Sequence, residues 1–292
     1  MKGTTAWSYA PYKPYLFETG DIYICRIAPD ESSIHFEWLP GGDGSYEVYL
    51  RLRGTGEFER AGTTDRTEFD LSGLQTDADY EFFVQSAGLK SRVRLARTGP
   101  VIGTVVNYLH PEDEAFRFSG RALCSPSLLR CPDGSLLASM DVYQKAAPQN
   151  LSFIFRSEDD GKTWHYLTDL FPCFWGKLFL HKGAVYMLAV STEYGDLLIG
   201  RSDDGGRTFS APVVLLRGAC HCAMPGIHKN PQNIMRCKGR IYETLEWGCW
   251  ANGVHHAAMV MSCDENADLL NPENWHFTDP VPYDPEWPGT AA

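Results

Sequence analysis

The chain has no apolar run approaching the ~20 residues that span a bilayer, which gives it no helical membrane segment to offer. Its opening stretch, "MKGTTAWSYAPYKPYLFETG", lacks the basic-then-apolar order of a secretory signal. Basic residues are in deficit: 26 Lys and Arg stand against 37 Asp and Glu, a formal net charge of −11. That field argues against nucleic acid and anionic membrane as bulk partners, and an anionic ligand would need a local cluster of cations. The nine cysteines are odd in number and show no framework spacing, so free thiols in a reducing, cytoplasmic setting are expected. "CHC" at Cys220–Cys222 has too tight a spacing for a zinc knuckle, and neither a metal nor another cofactor is expected.

What the chain does have is a repeated turn. "SEDDGKTW" begins at Ser157 and "SDDGGRTF" at Ser202. In each, an Asp (Asp159, Asp204) can bond its own backbone two residues on, and a Gly (Gly161, Gly206) tolerates positive φ. An aromatic residue, Trp164 or Phe209, then starts a strand-like segment. Turn chemistry recurring at a spacing of 40 to 50 residues is a repeat signature, and propeller blades have that period. Around the turns the same order returns. "PSLLRCPDGSLLASMDVY", "LSFIFRS" and "WHYLTDL" form a first unit; "KLFLHKGAVYMLAVS", "LLIGRS" and "FSAPVVLL" a second. A third runs "NPQNIMRCKGRIYETLEWG" and "HHAAMVMS", with "CDENADLLNPENWHF" in place of the short turn. Four strands per unit is a propeller pattern.

Ahead of the blades, residues 20–99 alternate as a small sandwich, after an N-terminal extension over residues 1–19. "SSIHFEW" puts Ile34, Phe36 and Trp38 on one face, and "SYEVYLR" does the same with Tyr46, Val48 and Leu50. "FDLSGLQTDADYEFFV", a Leu-rich turn before a corner tyrosine (Tyr80), resembles a fibronectin type III domain, in which Trp38 would be the buried early tryptophan. Residues 100–292 resemble a sialidase-like propeller, on the Asp turns and on "LCSPSLLRCPDGSLLASMD". The fold expected is therefore all-β: a fibronectin type III-like sandwich followed by about three sialidase-like blades of an expected six. On that count the chain is a truncated propeller, or closes one as a homo-oligomer. The resemblance implies a glycosidase. At the position where a sialidase grips its substrate carboxylate with Arg, this chain has Cys124.

Strand order places the loops between second and third strands, and those entering first strands, on one face. Loops on a rigid scaffold are where function concentrates. Asp141, Tyr143 and Lys145 come from the first unit. Trp175, Lys177, Glu193, Tyr194 and Asp196 come from the second. The third contributes His228, Lys229, Asn230, Gln232, Glu246, Trp247, Trp250, His255 and His256. Carboxylates and imidazoles suit proton transfer at a glycosidic oxygen, and indoles suit the apolar faces of sugar rings. The catalytic candidates are His228, Glu246, Asp141, Glu193 and Tyr194. Substrate contacts are expected from Trp175, Lys177, Lys229, Asn230, Gln232, Trp247, Trp250 and His255. Three functions fit: a glycoside hydrolase, a polysaccharide lyase acting beside a uronate, and a non-catalytic carbohydrate-binding propeller.

Overall fold

The structure, a computed structural model, describes Trp7 and residues 22–219, 224–229, 231–250, 256–284 and 286–288. Two sheets make the sandwich. β1 (Ile24–Pro29), β2 (Ser33–Trp38) and β5 (Glu68–Ser72) form one, in the order β1-β2-β5. The other holds β4 (Glu59–Thr64), β3 (Tyr46–Leu52), β6 (Asp79–Ser86) and β7 (Leu89–Lys90), with β8 (Arg94–Arg97) also paired to β6. The period-2 alternation read from the sequence is the reason they pack. Ile34, Phe36 and Trp38 meet Tyr46, Val48, Leu71, Phe82 and Val84 in one apolar cluster. Within it the Phe36 and Phe82 rings lie 4.7 Å apart. The corner tyrosine behaves as expected, its hydroxyl accepting from the Gln75 N–H five residues upstream at 2.9 Å.

Three antiparallel sheets follow, two of them meanders in which sequential strands are neighbours and the third a meander whose first strand is split. The first blade is β9 (Ala122–Arg130), β10 (Leu136–Tyr143), β11 (Ser152–Ser157) and β12 (His165–Leu170). β13 (Phe174–His181), β14 (Ala184–Val190), β15 (Leu197–Ser202) and β16 (Val213–Leu216) make the second. The third pairs β17 (Gly226–His228) and β18 (Met235–Cys237) along one side of β19 (Arg240–Gly248), then adds β20 (Ala257–Asp264) and β21 (Trp275–Phe277). Only β18 of that split inner strand was legible in the sequence. Pro231, which has no N–H to donate, falls between the two pieces and breaks the ladder.

The repeated turns join third to fourth strands. Asp159 accepts from the Thr163 N–H at 2.9 Å and the Thr163 hydroxyl at 2.7 Å. Asp204 makes the same pair of bonds to Thr208, at 2.9 and 2.6 Å. Four bonds or more to each carboxylate lower the Asp159 pKa to about 2. These acids hold turns. Trp7, from the N-terminal extension, is fully buried between the first two blades and donates its indole N–H to the Pro172 carbonyl at 2.9 Å.

Sandwich and first blade share a polar joint. Glu37 accepts from Arg26 Nη1 at 3.0 Å and from the Tyr166 N–H at 3.0 Å, and lies 3.0 Å from His165 Nδ1. Tyr23 and Cys25 of the sandwich complete the first blade's apolar cluster. Buried Arg94 pairs with buried Asp113 at 2.7 Å on the segment between them.

Candidate active site at the ends of the second and third blades

Strand register assembles the site. His228 on β17 is the cross-strand partner of Glu246 on β19, and Glu246 is in turn opposite Ala258 on β20. Directly paired residues project to one face, and His256, two residues before Ala258, falls on that face too. Glu246 Oε2 consequently lies 2.7 Å from His228 Nδ1 and 3.2 Å from His256 Nδ1. The two imidazoles stack, centroids 4.5 Å apart at 20°. Trp175 stands edge-on to His228 at 4.4 Å, and Trp250 edge-on to His256 at 4.5 Å. Tyr194 comes from the loop after β14, and its hydroxyl is 3.2 Å from His256 Nε2.

Two of these residues hold unusual backbone. Tyr194 has φ 63° and Trp175 has φ 51°, the left-handed region that non-glycine residues seldom adopt. Tyr194 bridges to Ile227 of β17 and accepts the Ala219 N–H at 2.7 Å. That approach requires Gly226, since a Cβ there would sit 2.0 Å from the Tyr194 carbonyl oxygen. Trp175 interrupts the β13 ladder between Phe174 and Lys177. Its N–H donates to Asp141 Oδ2 at 2.7 Å, and its carbonyl accepts from Lys229 Nζ at 3.4 Å. The peptides on either side of Trp175, which aim its indole at His228, are therefore each held by a buried side chain.

Burial dominates the electrostatics. It pushes the Asp141 carboxyl up to about 7, against the hydrogen bonds from Ser152 and the Trp175 N–H and the charge of Lys229. Burial likewise lowers Lys229, opposed by Glu243 at 3.5 Å, and raises Glu243. Desolvation and the neighbouring His256 lower His228, while Glu246 opposes them. Burial raises Glu193 against a hydrogen bond from Gln149, and raises the Cys124 thiol to about 11. A neutral thiol there has no charge to offer a substrate carboxylate.

Of the residues singled out in the sequence, His228, Glu246, Tyr194, Trp175 and Trp250 come together. Others do not. Asp141 is fully enclosed beneath Trp175, so it props the site instead of facing a substrate. Lys229, expected to meet an anionic group, is buried in its ion pair with Glu243. Lys177 is buried and donates to Asn233 at 3.0 Å. Trp247 packs on the apolar cluster of the second and third blades, so its indole is not a free platform. Glu193 is half-buried beside Tyr194, and exposed Gln232 lines a cavity of about 400 Å³ together with His228 and Glu246. Asn230 and His255 lie outside the described residues, as does "CHC". His256, one of the loop residues the sequence singles out, received no role there, the substrate contact being assigned to its neighbour His255. The β19–β20 register identifies His256, and loop sequence alone does not disclose that register.

No protein-family model and no curated protein matches the chain. Solved structures do. The α-L-arabinofuranosidase from Lactobacillus brevis is 17% identical, covering 69% of this chain and 69% of its own, with a TM-score of 0.45. The α-L-arabinanase of Penicillium chrysogenum, complexed with arabinobiose, is 18% identical over 57% of this chain and 51% of its own, TM-score 0.39. An fn3 domain of human collagen α-1(XX) is 29% identical over 29% of this chain and 85% of its own, TM-score 0.22.

Proposed function

We propose that the chain is a carbohydrate-active enzyme of the glycoside-hydrolase kind, working at His228, Glu246, His256 and Tyr194. The observation that carries this reading is the Glu246 carboxylate, set 2.7 and 3.2 Å from two imidazoles on a cleft wall. Cleaving a glycosidic bond needs a proton at the leaving oxygen and a base for the incoming water, and such a cluster can hold and pass one. Trp250, 71% exposed, offers an indole face beside it for a sugar ring. A neutral thiol at Cys124 argues for a sugar that is not recognised through a carboxylate at that point. Neutral glycosides and oligosaccharides, with sialosides for contrast, form the test screen. Released reducing sugar that disappears in Glu246→Gln supports the reading; no turnover of any glycoside contradicts it.

One observation favours a second reading. Tyr194 and His256, joined at 3.2 Å, are the types that abstract a proton beside a uronate carboxylate. Product absorbance near ~235 nm, from the unsaturated uronate such proton abstraction leaves, would mark a lyase. Binding without turnover of either kind would mark a carbohydrate-binding propeller.

A further inference from the structure

We propose that His228 Nδ1, His256 Nδ1 and a Glu246 carboxylate oxygen form a binding site for one divalent transition-metal ion of the zinc class. Each of the three residues offers one ligand atom within 4.8 Å of the others. Two of the spacings are 2.7 and 3.2 Å. Ligands at roughly 2.0–2.1 Å from such an ion stand about 2.7–3.4 Å apart when the angles between them are about 80–110°. Two imidazoles and one carboxylate are a donor set that zinc and its neighbours take up.

The state of His228 makes the case stronger. Its Nδ1 has no hydrogen-bond partner among the described residues, although a carboxylate oxygen lies 2.7 Å away. Heteroatoms that close are bridged by a proton or by a metal cation, and the poor alignment for a hydrogen bond there favours the cation. His256 is held from behind. The Tyr194 hydroxyl, 3.2 Å from its Nε2, is an outer partner of the kind that orients a metal-binding histidine. The rings stack at 20°, so one imidazole must turn about its terminal torsion to bring both lone pairs onto one ion; that torsion is broad. Trp175 and Trp250 wall the imidazoles with apolar surface, and the Glu246 side chain, 44% exposed, opens toward the cavity of about 400 Å³. Three protein ligands with open positions facing a cleft are the arrangement of catalytic, rather than structural, zinc.

A second cluster, His35, Glu37 and Glu68, also gathers three donors within 4.8 Å. There Glu37 is already met by a guanidinium and a backbone N–H, so its charge is spoken for. The proposal leans on the glycosidase reading only for the substrate that would meet the open positions; ion binding itself stands apart from it.

Calorimetric titration of the chelator-stripped full chain with zinc, and the visible spectrum of a cobalt(II) titration, test this without any substrate. One equivalent is expected to bind, with affinity falling more than ~100-fold in His228→Ala, His256→Ala and the conservative Glu246→Gln, and about 10–100-fold in Tyr194→Phe. His35→Ala and the double variant Cys220→Ser, Cys222→Ser should bind as the unaltered chain does. No binding by the unaltered chain, unchanged binding in His256→Ala at an unchanged melting temperature, or loss in the cysteine variant would overturn the site. Glycoside cleavage by a chain that takes up no ion would sink this proposal and leave the glycosidase reading standing; ion uptake without cleavage of any sugar does the reverse.

Discussion

Two glutamates, each beside two histidines, teach different things. Glu37, at the joint between sandwich and first blade, lies near His35 (3.6 Å) and His165 (3.0 Å) and also receives Arg26 and the Tyr166 N–H. Glu246 lies near His228 and His256, and among the described residues it has neither a guanidinium nor a backbone N–H. In the first, every valence is answered from within the chain and the cluster holds two bodies together. In the second, the carboxylate meets only the two imidazoles among the described residues and faces a cavity. A carboxylate–histidine cluster reads as structure when it is saturated and as a site when it is not.

The largest effect should come from unbalancing the saturated cluster. Glu37→Ala strands a buried Arg26, and breaking a buried pair from one side costs about 3–5 kcal/mol. Urea unfolding checks this, and zinc binding should not change. An intact midpoint would mean that the joint contributes little. Next comes the prop beneath the open cluster. Asp141→Ala leaves the Trp175 N–H without its acceptor at a cost of about 1–3 kcal/mol, and lets the indole leave His228, raising KM more than it lowers kcat. Smaller again, Asp159→Ala and Asp204→Ala should each lose about 1–2 kcal/mol of stability through their turn bonds, with turnover unaffected. Lost turnover in a variant that melts normally would place the Asp turns at the site after all.

The mildest effect is a pH slope. Burial pushes the Glu37 carboxyl up, but the His35 hydrogen bond, the Arg26 charge and the Tyr166 N–H outweigh it, leaving its pKa below the ordinary value. Burial pushes His35 down, but bonds to Glu37 and Asp70 outweigh it, leaving its pKa above the ordinary 6.5. The Glu37 contribution is present above the ordinary carboxylate pKa and is lost as pH falls through the depressed value. The His35 contribution is complete below 6.5 and is lost as pH rises through the raised value. Melting temperature should therefore peak between these limits, and Glu37→Gln should flatten both flanks. Equal profiles in the two proteins would remove the joint as their source.

The sandwich and most blade strands were legible because alternation and turn chemistry are local. The three-residue β17 was not, being too short to alternate and cut off by Pro231. Trp7 gave no periodic signal, and only packing between blades buries it. Half of the cluster could be read, because strand ends bring His228 beside Glu246. His256 needed the β19–β20 register, and Lys229 was misjudged because its buried partner, Glu243, lies on a different strand. Glu37 alternates outward from its own sheet, so nothing in the sandwich sequence foretells that a blade will cover it.

Under the proposed function, chemistry occurs at Glu246 with His228 and His256 beside it. Turnover of a cleaved carbohydrate by the unaltered chain, Glu246→Gln and His228→Ala, with melting temperatures measured alongside, tests it most directly. The prediction is a loss of ~10² or more in kcat for each variant, the usual size for a missing acid or base, with melting temperatures nearly unchanged. Near-parental kinetics in both variants would contradict it.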